Sequence, residues 1–182
     1  MIVFDTETTG LAGPITMPLS KQPRIIEICL IKLDDKTLKE TKRYTTLINP
    51  GFSISPTITK ITNITNDMLK SAPRFEDVSG EIIETFRGEI YMAAHNLPFD
   101  RKMISFDLER SGINPKDVLP PKGICTVAST LHITGKRLSM EKLYSHCTGG
   151  EKFDSAHRAA ADTEALARCV RFLIEEGEIV LR

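Results

Sequence analysis

Two carboxylates stand close together near the start of the chain, directly after a short apolar run. Asp5 and Glu7 follow residues 2–4 (IVF), which have the pattern of a strand buried on both faces. Residues two apart in an extended chain point to the same side, so both carboxylates are expected to face one place. Two like charges there are costly unless a cation lies between them, and a hard divalent cation is the natural partner for oxygen ligands. A solvated loop after the strand is the plainer interpretation of this pair alone.

A third acid lies on the inward face of the last predicted helix. The spacing of Leu166, Cys169, Val170 and Leu173 marks the buried face, and one turn before Leu166 comes Asp162. Burying that carboxylate unpaired would cost several kcal/mol, which favours a role in a site. The alternative is that Asp162 only complements the positive end of the helix dipole.

A histidine accompanies this acid. His157 precedes Asp162 by five residues, about 140° around a regular helix, so both cannot face one spot if the helix has already formed at the histidine. We therefore expect His157 at or just before the first turn, where it can lean over the same cleft. A catalytic role competes with a purely structural one for a histidine near a helix start.

A fourth acid belongs to residues 95–100 (HNLPFD), where a strand end meets a proline-opened helix with Asp100 in its first turn. In the structural alternative, Asp100 serves the helix dipole and Asn96 caps the helix. Their position favours a role in a functional site, because such sites in α/β folds lie where a strand ends and the next helix begins.

These candidate residues need a scaffold, and the hydrophobic pattern predicts a mixed α/β sheet covered by helices. The predicted strands are residues 2–4, 25–33, 43–48, 91–94 and a segment in or near 124–126, with an early antiparallel hairpin around residues 34–36. The predicted helices are residues 66–71, 75–86, 98–110, 139–146 and about 156–176. Residues 11–23 contain three prolines and are predicted to form an exposed loop, and residues 52–65 are predicted to be rich in turns.

The composition fits one domain. With 182 residues, 41% of them hydrophobic, the chain is long enough for one substantial core, so we expect a single domain over residues 1–182. Lys and Arg number 24, as do Asp and Glu, so there is no strong basic field and any contact with nucleic acid should be local. No segment has the pattern of a signal peptide or a membrane span. We therefore expect a cytoplasmic protein with no membrane partner.

Taken in order, three segments resemble the exonuclease motifs of the DEDDh, or DnaQ-like, family of 3′→5′ exonucleases. They are residues 4–11 (FDTETTGL), 95–100 (HNLPFD) and 157–162 (HRAAAD). This family includes the proofreading subunit of bacterial DNA polymerase III, oligoribonuclease and the TREX-type nucleases. The likeness covers nearly the whole chain, residues 24–28 (RIIEI) included, and three ordered motifs are far more specific than any one of them.

The resemblance implies an RNase H-like fold, a five-stranded mixed sheet with helices on both faces. It also implies two divalent metal ions, Mg²⁺ or Mn²⁺, with Asp5 bridging them, Glu7 and Asp162 completing one site, and Asp100 holding the other. Such ions can stabilise the attacking and leaving oxygens of a phosphodiester hydrolysis. His157 matches the general base that takes the proton of the attacking water.

For the substrate, the resemblance implies a nucleic-acid 3′ end from which 5′-mononucleotides are released. Thr8, Leu11, Asn96 and Phe99 match positions that contact or wedge the terminal nucleotides in relatives. We expect single-stranded DNA to be favoured, and RNA stays open because no feature visibly reads a 2′-hydroxyl. A polymerase or another replication protein is an expected partner, although we see no C-terminal tail after the last helix that would tether the chain to it.

The chain departs from the family pattern at Thr62 and Asn63, where relatives often carry His-Gly. Asn tolerates the left-handed turn that Gly would supply, so we expect the fold to be unaffected.

Two other functions stay open. A phosphatase of the haloacid-dehalogenase type also places an aspartate after an apolar strand with a second acid two residues on, although the second acid here is Glu7. An exonuclease-like fold that only binds nucleic acid or a polymerase is the other alternative, and the presence of all five charged side chains argues against it.

Overall fold

The computed structural model describes residues 1–153 and 157–181, without the side chain of Thr134. In this part of the chain, five strands form one mixed sheet in the order β3-β2-β1-β4-β5. The strands are β1 (Ile2–Thr8), β2 (Ile25–Leu33), β3 (Glu40–Leu47), β4 (Tyr91–Ala94) and β5 (Lys122–Cys125). β2 pairs antiparallel with β1 and β3, whereas β1, β4 and β5 run parallel. The predicted five-stranded mixed sheet is therefore confirmed.

Helices cover both faces of the sheet. They are α1 (Pro56–Thr62), α2 (Asn66–Lys70), α3 (Phe75–Phe86), α4 (Leu97–Arg110), α5 (Thr126–Ser129), α6 (Leu131–Thr134), α7 (Met140–Cys147) and α8 (Ala159–Glu175). α3 and α4 pack in one core cluster, and α7 and α8 pack in the other. No helix in the described ranges combines the length and the apolar character that a bilayer span requires.

β1 lies in the middle of the sheet and separates the two cores. Ile2 and Phe4 pack in the cluster that contains Phe86 of α3. Val3, which points the opposite way, packs in the cluster that contains Leu166 of α8. The alternation explains why the strand begins with a continuous apolar run, since each of its faces is buried.

Three predicted elements have the predicted bounds: residues 25–33, 75–86 and 91–94. The other predicted elements are present with shifted boundaries. The first strand continues to Thr8, so the first two acids lie within it. β3 begins at Glu40 rather than residue 43, because an edge strand can start with exposed polar residues that give no apolar signal. α8 begins at Ala159, and residue 156, where the prediction started it, lies outside the described residues.

Residues 56–62 form a helix where the sequence predicts only turns. Ser55 caps this helix by accepting a hydrogen bond from the Ile58 N–H (3.4 Å), and Pro56 occupies the first turn. Asn63 ends it in the left-handed conformation, with φ of 58°, as predicted. The prediction was wrong because β-branched residues dominate the segment and lower its helix propensity, while the caps and the buried Ile64 outweigh that preference.

Buried polar side chains hold the loop before β2. Gln22 is 4% exposed, accepts from the Gly13 N–H (2.9 Å) and donates to loop carbonyls. Arg110 of α4 donates to three carbonyl oxygens of residues 19–23 and pairs with the buried carboxylate of Asp107 (2.5 Å). The loop is therefore fixed to α4 rather than simply solvated.

Candidate active site

The pleat of β1 divides its polar side chains between the two faces of the sheet. Asp5 and Glu7 share the face of Val3, which α8 covers, because side chains two residues apart point the same way. Thr6 points to the opposite face, where its hydroxyl donates to Asp100 Oδ1 of α4 (2.8 Å). One strand thus presents two acids to α8 and fixes a third acid from its other side.

All five residues predicted to be catalytic line a single cavity of about 610 Å³. Its walls come from β1, the turn after β4, the starts of α4 and α7, and the segment that leads into α8. The lining residues are Asp5, Thr6, Glu7, His95, Asn96, Phe99, Asp100, Ser139, Met140, Glu141, His157, Asp162 and Leu166. The fold therefore brings together acids that are up to 157 positions apart, from residue 5 to residue 162.

Three of the carboxylates form a tight group. One oxygen from each of Asp5, Glu7 and Asp162 lies within 4.8 Å of the others. Asp100 lines the same cavity, is 4% exposed, and accepts a second hydrogen bond from the Thr6 N–H (3.2 Å) at Oδ1. The arrangement is thus a group of three acids with a fourth acid held beside it.

Crowding and burial raise the pKa of these acids. Removal from water, followed by the charge of Asp162, raises the pKa of Glu7 to about 8. Burial raises the pKa of Asp5 well above its ordinary range, and the charges of Asp100 and Asp162 raise it further. Burial also raises the pKa of Asp100 to about 7. Without a cation, this cluster would hold protons near neutral pH.

His157 lies two residues before α8, in the place that the helix geometry predicts. Its φ is 71°, in the left-handed region that residues other than glycine seldom adopt. The N–H groups of His157 and Arg158 both donate to Asp162 Oδ2, at 2.7 and 3.0 Å. Asp162 therefore satisfies backbone groups at the helix start while it also belongs to the acid cluster. The imidazole is exposed and lines the cavity.

The predicted site residues do not include a buried acid that lies beside the cluster. Glu27 of β2 lies opposite Glu7 in the strand register and is 2% exposed. Its carboxylate pairs with Arg158 (2.6 Å), which also lowers the pKa of Glu7. A signal for it exists, since Glu27 interrupts the otherwise apolar residues 25–31.

The wall formed by the start of α7 was also absent from the predicted site. Residues 139–141 line the cavity there. The ring of His95 braces this wall, because its nitrogens lie 2.9 Å from Thr126 Oγ1 and 3.1 Å from the Leu138 carbonyl oxygen. Nothing in the local sequence marks these residues, since their place depends on how α7 packs against the sheet.

The predicted substrate-contact residues divide into two pairs. Asn96 and Phe99 line the cavity. Thr8 lies outside its lining and donates its hydroxyl to the Gly10 carbonyl (2.8 Å), and Leu11 is 86% exposed on the loop that follows β1. Contact of these four residues with nucleotides stays a prediction.

Comparison with known proteins assigns the chain to a family. The sequence model of the RNase_T family, described as an exonuclease, matches residues 2–170. The chain belongs to this exonuclease family. A PolC-type DNA polymerase III from Caldanaerobacter subterraneus subsp. tengcongensis is 31% identical over 179 residues, which cover 96% of this chain and 12% of that protein. Its counterpart from Staphylococcus haemolyticus is 32% identical over 168 residues, which cover 91% of this chain and 11% of that protein. The exonuclease chain thus spans only a small part of these curated relatives.

Solved structures share the fold of this exonuclease. Exonuclease X in complex with 5′-overhanging duplex DNA is 27% identical, with a TM-score of 0.67 over 97% of this chain and 92% of that chain. The nuclease domain of 3′hExo, a DEDDh family member bound to rAMP, matches in fold with a TM-score of 0.75, 17% identity, and coverage of 100% and 94%. The predicted RNase H-like fold and the predicted DnaQ-like exonuclease family are confirmed. The alternative of a haloacid-dehalogenase phosphatase is thereby excluded.

The DEDDh family implies divalent metal ions, and the donor set of this exonuclease fits them. Asp5, Glu7 and Asp162 offer three carboxylate oxygens within 4.8 Å of one another, the ligand type that hard divalent cations prefer. The pKa of Glu7, raised to about 8, indicates a cluster short of positive charge. A bound cation would supply that charge.

Proposed function

We propose that this exonuclease hydrolyses the terminal phosphodiester at the 3′ end of a nucleic-acid strand and releases 5′-mononucleotides. The observation that carries the proposal is the convergence of Asp5, Glu7 and Asp162 within 4.8 Å, in a cavity that Asp100 and His157 also line. This set of groups meets the needs of metal-assisted phosphodiester hydrolysis, which are oxygen ligands, a base and room for the substrate.

The four acids are proposed to hold two Mg²⁺ or Mn²⁺ ions. Glu7 and Asp162 would complete one site and Asp100 the other, with Asp5 shared between them. After burial, the charges of Asp100 and Asp162 are the largest causes of the raised pKa of Asp5. This supports a position for Asp5 between the two proposed metal sites. When bound, the ions would stabilise the charge that develops on the phosphodiester and lower the pKa of the attacking water.

His157 is proposed to take the proton of that water as the general base. Its imidazole is exposed at the cavity, and imidazole is the side chain best suited to accept a proton near neutral pH. The two backbone hydrogen bonds to Asp162 Oδ2 fix the chain on both sides of the His157 Cα, so the position from which the imidazole extends is defined. The bond that breaks is then the one to the 3′ oxygen of the penultimate nucleotide.

Single-stranded DNA is the proposed substrate, with RNA as the second candidate. Asn96 and Phe99 line the cavity and are proposed to contact the terminal nucleotide. An aromatic ring such as that of Phe99 can stack on any base, so this contact does not read the identity of the base. The DNA-bound Exonuclease X and the PolC-type DNA polymerases among the relatives support DNA and a replication partner.

A panel of 5′-labelled oligonucleotides tests the proposal directly. It comprises single-stranded DNA, matched and mismatched primer–template and single-stranded RNA, each with Mg²⁺, Mn²⁺ or EDTA. We expect a ladder that shortens from the 3′ end with either metal and no cleavage in EDTA. The isosteric variant Asp5→Asn is the control for a contaminating nuclease, since it removes one metal ligand and little volume.

Two results would contradict the proposal. Labelled products that shorten in EDTA would exclude metal-assisted hydrolysis. Binding of every oligonucleotide without cleavage, equally in metal and in EDTA, would instead identify a module that binds nucleic acid without cutting it.

A further inference from the structure

A buried acid and a partly exposed arginine tie the start of α8 to the sheet, close to the acid cluster. The Glu27 carboxylate accepts from Arg158 Nη2 (2.6 Å) and Nε (3.0 Å), and also from the Ala159 N–H (2.9 Å). Glu27 is 2% exposed and belongs to β2, 131 positions before Arg158. One carboxylate from the sheet therefore fixes both the side chain before α8 and the first backbone N–H of the helix.

The acid cluster holds the same segment, residues 157–159, from its other side. Asp162 Oδ2 accepts from the N–H groups of His157 and Arg158. His157 meanwhile keeps a φ of 71°, a conformation that persists in a non-glycine residue only when its surroundings impose it. The ion pair on one side and the carboxylate on the other supply that constraint.

We propose that Glu27 and Arg158 form a positioning clamp, which sets where His157 and Asp162 stand relative to Asp5 and Glu7. The inference rests on the proposed function and adds to it two residues that are not among the proposed metal ligands or substrate contacts. The pairing has a second effect, because it engages both oxygens of Glu27. A buried carboxylate directly opposite Glu7 is thereby kept from acting as a further metal ligand.

Arg158→Ala removes the clamp, and a second arginine that links α8 to the sheet offers a control. Arg43 of β3 also ties α8 to the sheet, through Glu164 (3.0 Å), and its side chain is 36% exposed against 40% for Arg158. Glu164 is 63% exposed, whereas Glu27 is 2% exposed, and Arg43 also pairs with Glu40 (2.9 Å). Arg43→Ala therefore controls for losing an arginine that ties α8 to the sheet, two residues beyond Asp162, and it leaves the His157 segment untouched.

For Arg158→Ala, we expect kcat on labelled single-stranded DNA to fall by about 10–100-fold, and the Mn²⁺ Kd from isothermal titration calorimetry to rise by a similar factor. KM should stay within about 2-fold, because the clamp is proposed to act through other residues rather than on the substrate. Arg43→Ala should leave all three quantities within about 2-fold of wild type. A raised KM with unchanged kcat would show that Arg158 binds substrate and would overturn the clamp.

A double-mutant cycle separates positioning from general support of the fold. If the clamp acts through His157, Arg158→Ala should cost far less in kcat when introduced into His157→Ala than into the wild type. Equal losses in the two backgrounds would show that Arg158 does not act through the histidine.

Arg158→Lys keeps the inference testable if the alanine variant does not fold. Lysine retains the charge but loses the two-nitrogen fork that grips the carboxylate, so kcat and Mn²⁺ affinity should fall between those of wild type and alanine. Wild-type kcat and Mn²⁺ affinity in Arg158→Lys would show that the two-nitrogen fork is not required and would contradict this prediction. The calorimetry uses no nucleic acid, so the two failures are distinguishable. A wild-type protein that binds Mn²⁺ but cleaves nothing would defeat the proposed function, whereas an unchanged Mn²⁺ Kd in Arg158→Ala would overturn the clamp.

Discussion

Replacing Glu7 with glutamine should stabilise the metal-free protein at neutral to alkaline pH while abolishing cleavage. Burial and the charge of Asp162 raise the pKa of Glu7 from 4.5 to about 8. Between these two pH values, the unfolded chain releases a proton that the folded state keeps, so the contribution of Glu7 to stability falls as pH rises. Below 4.5 both states are protonated and the contribution is complete, whereas above about 8 the loss has reached its limit.

The magnitude follows from that shift. One pKa unit corresponds to about 1.4 kcal/mol, so the rise from 4.5 to about 8 sets an upper limit of roughly 5 kcal/mol on the destabilisation. Water and counter-ions that enter the open cavity reduce it, and about half that amount is a reasonable expectation. For a protein of this size, 1 kcal/mol shifts Tm by about 2–4 °C. We therefore expect Glu7→Gln to melt about 5–10 °C above wild type in EDTA at pH 8 or higher.

Thermal unfolding followed by circular dichroism between about pH 5 and pH 9 in EDTA measures this difference. The gap between variant and wild type should widen with pH and shrink towards zero near pH 5, while saturating Mn²⁺ should stabilise the wild type far more than the variant. Glu109→Gln, at an exposed position of α4, is the control for removing one negative charge. A Glu7→Gln protein that melts at or below the wild-type temperature in EDTA at pH 8 would refute the reasoning.

Four further substitutions test other contacts of the structure. Asp5→Ala and Asp162→Asn should abolish cleavage in the labelled-oligonucleotide assay while circular dichroism stays that of a folded protein, because each removes a proposed metal ligand and asparagine still accepts the backbone N–H bonds. His157→Ala should slow cleavage by about 10²–10⁴-fold with Mn²⁺ affinity within about 3-fold, and near-normal turnover would defeat its role as the base. Arg110→Ala should lower the free energy of unfolding by about 3–5 kcal/mol in urea titrations, because it leaves the buried Asp107 carboxylate unpaired, and a loss below about 1 kcal/mol would contradict this.

The parts of the site that follow a local period could be predicted from the sequence. Asp5 and Glu7 share a face because strand side chains alternate, and the apolar stripe that begins at Leu166 places Asp162, one turn earlier, on the inward face. The five-residue separation from Asp162 also places His157 before the first turn, where it lies. Each of these predictions needs only residues within one element.

The rest of the site depends on distances between elements, which no local period contains. Glu27 meets Arg158 across 131 positions and Thr6 meets Asp100 across 94, and both pairings follow from strand register and helix packing. The left-handed backbone of His157 is equally hidden, since it results from those contacts. The three motifs indicate which residues gather, and only the fold determines how they are held.

The structural and the catalytic interpretations of Asp100 and Asp162 are compatible, because a carboxylate has two oxygens. Asp162 uses Oδ2 for two N–H bonds at the start of α8, and Asp100 uses Oδ1 for two hydrogen bonds from Thr6. Each acid also stands in the first turn of its helix, where the dipole favours negative charge by roughly 0.3–1 kcal/mol. That gain is smaller than the burial effect that lifts the pKa of Asp100 to about 7, so helix ends alone cannot keep these acids ionised. The scaffold therefore holds one oxygen of each acid in place. The free-energy cost of keeping the buried carboxylates ionised remains, and relief of that cost favours binding of a divalent cation.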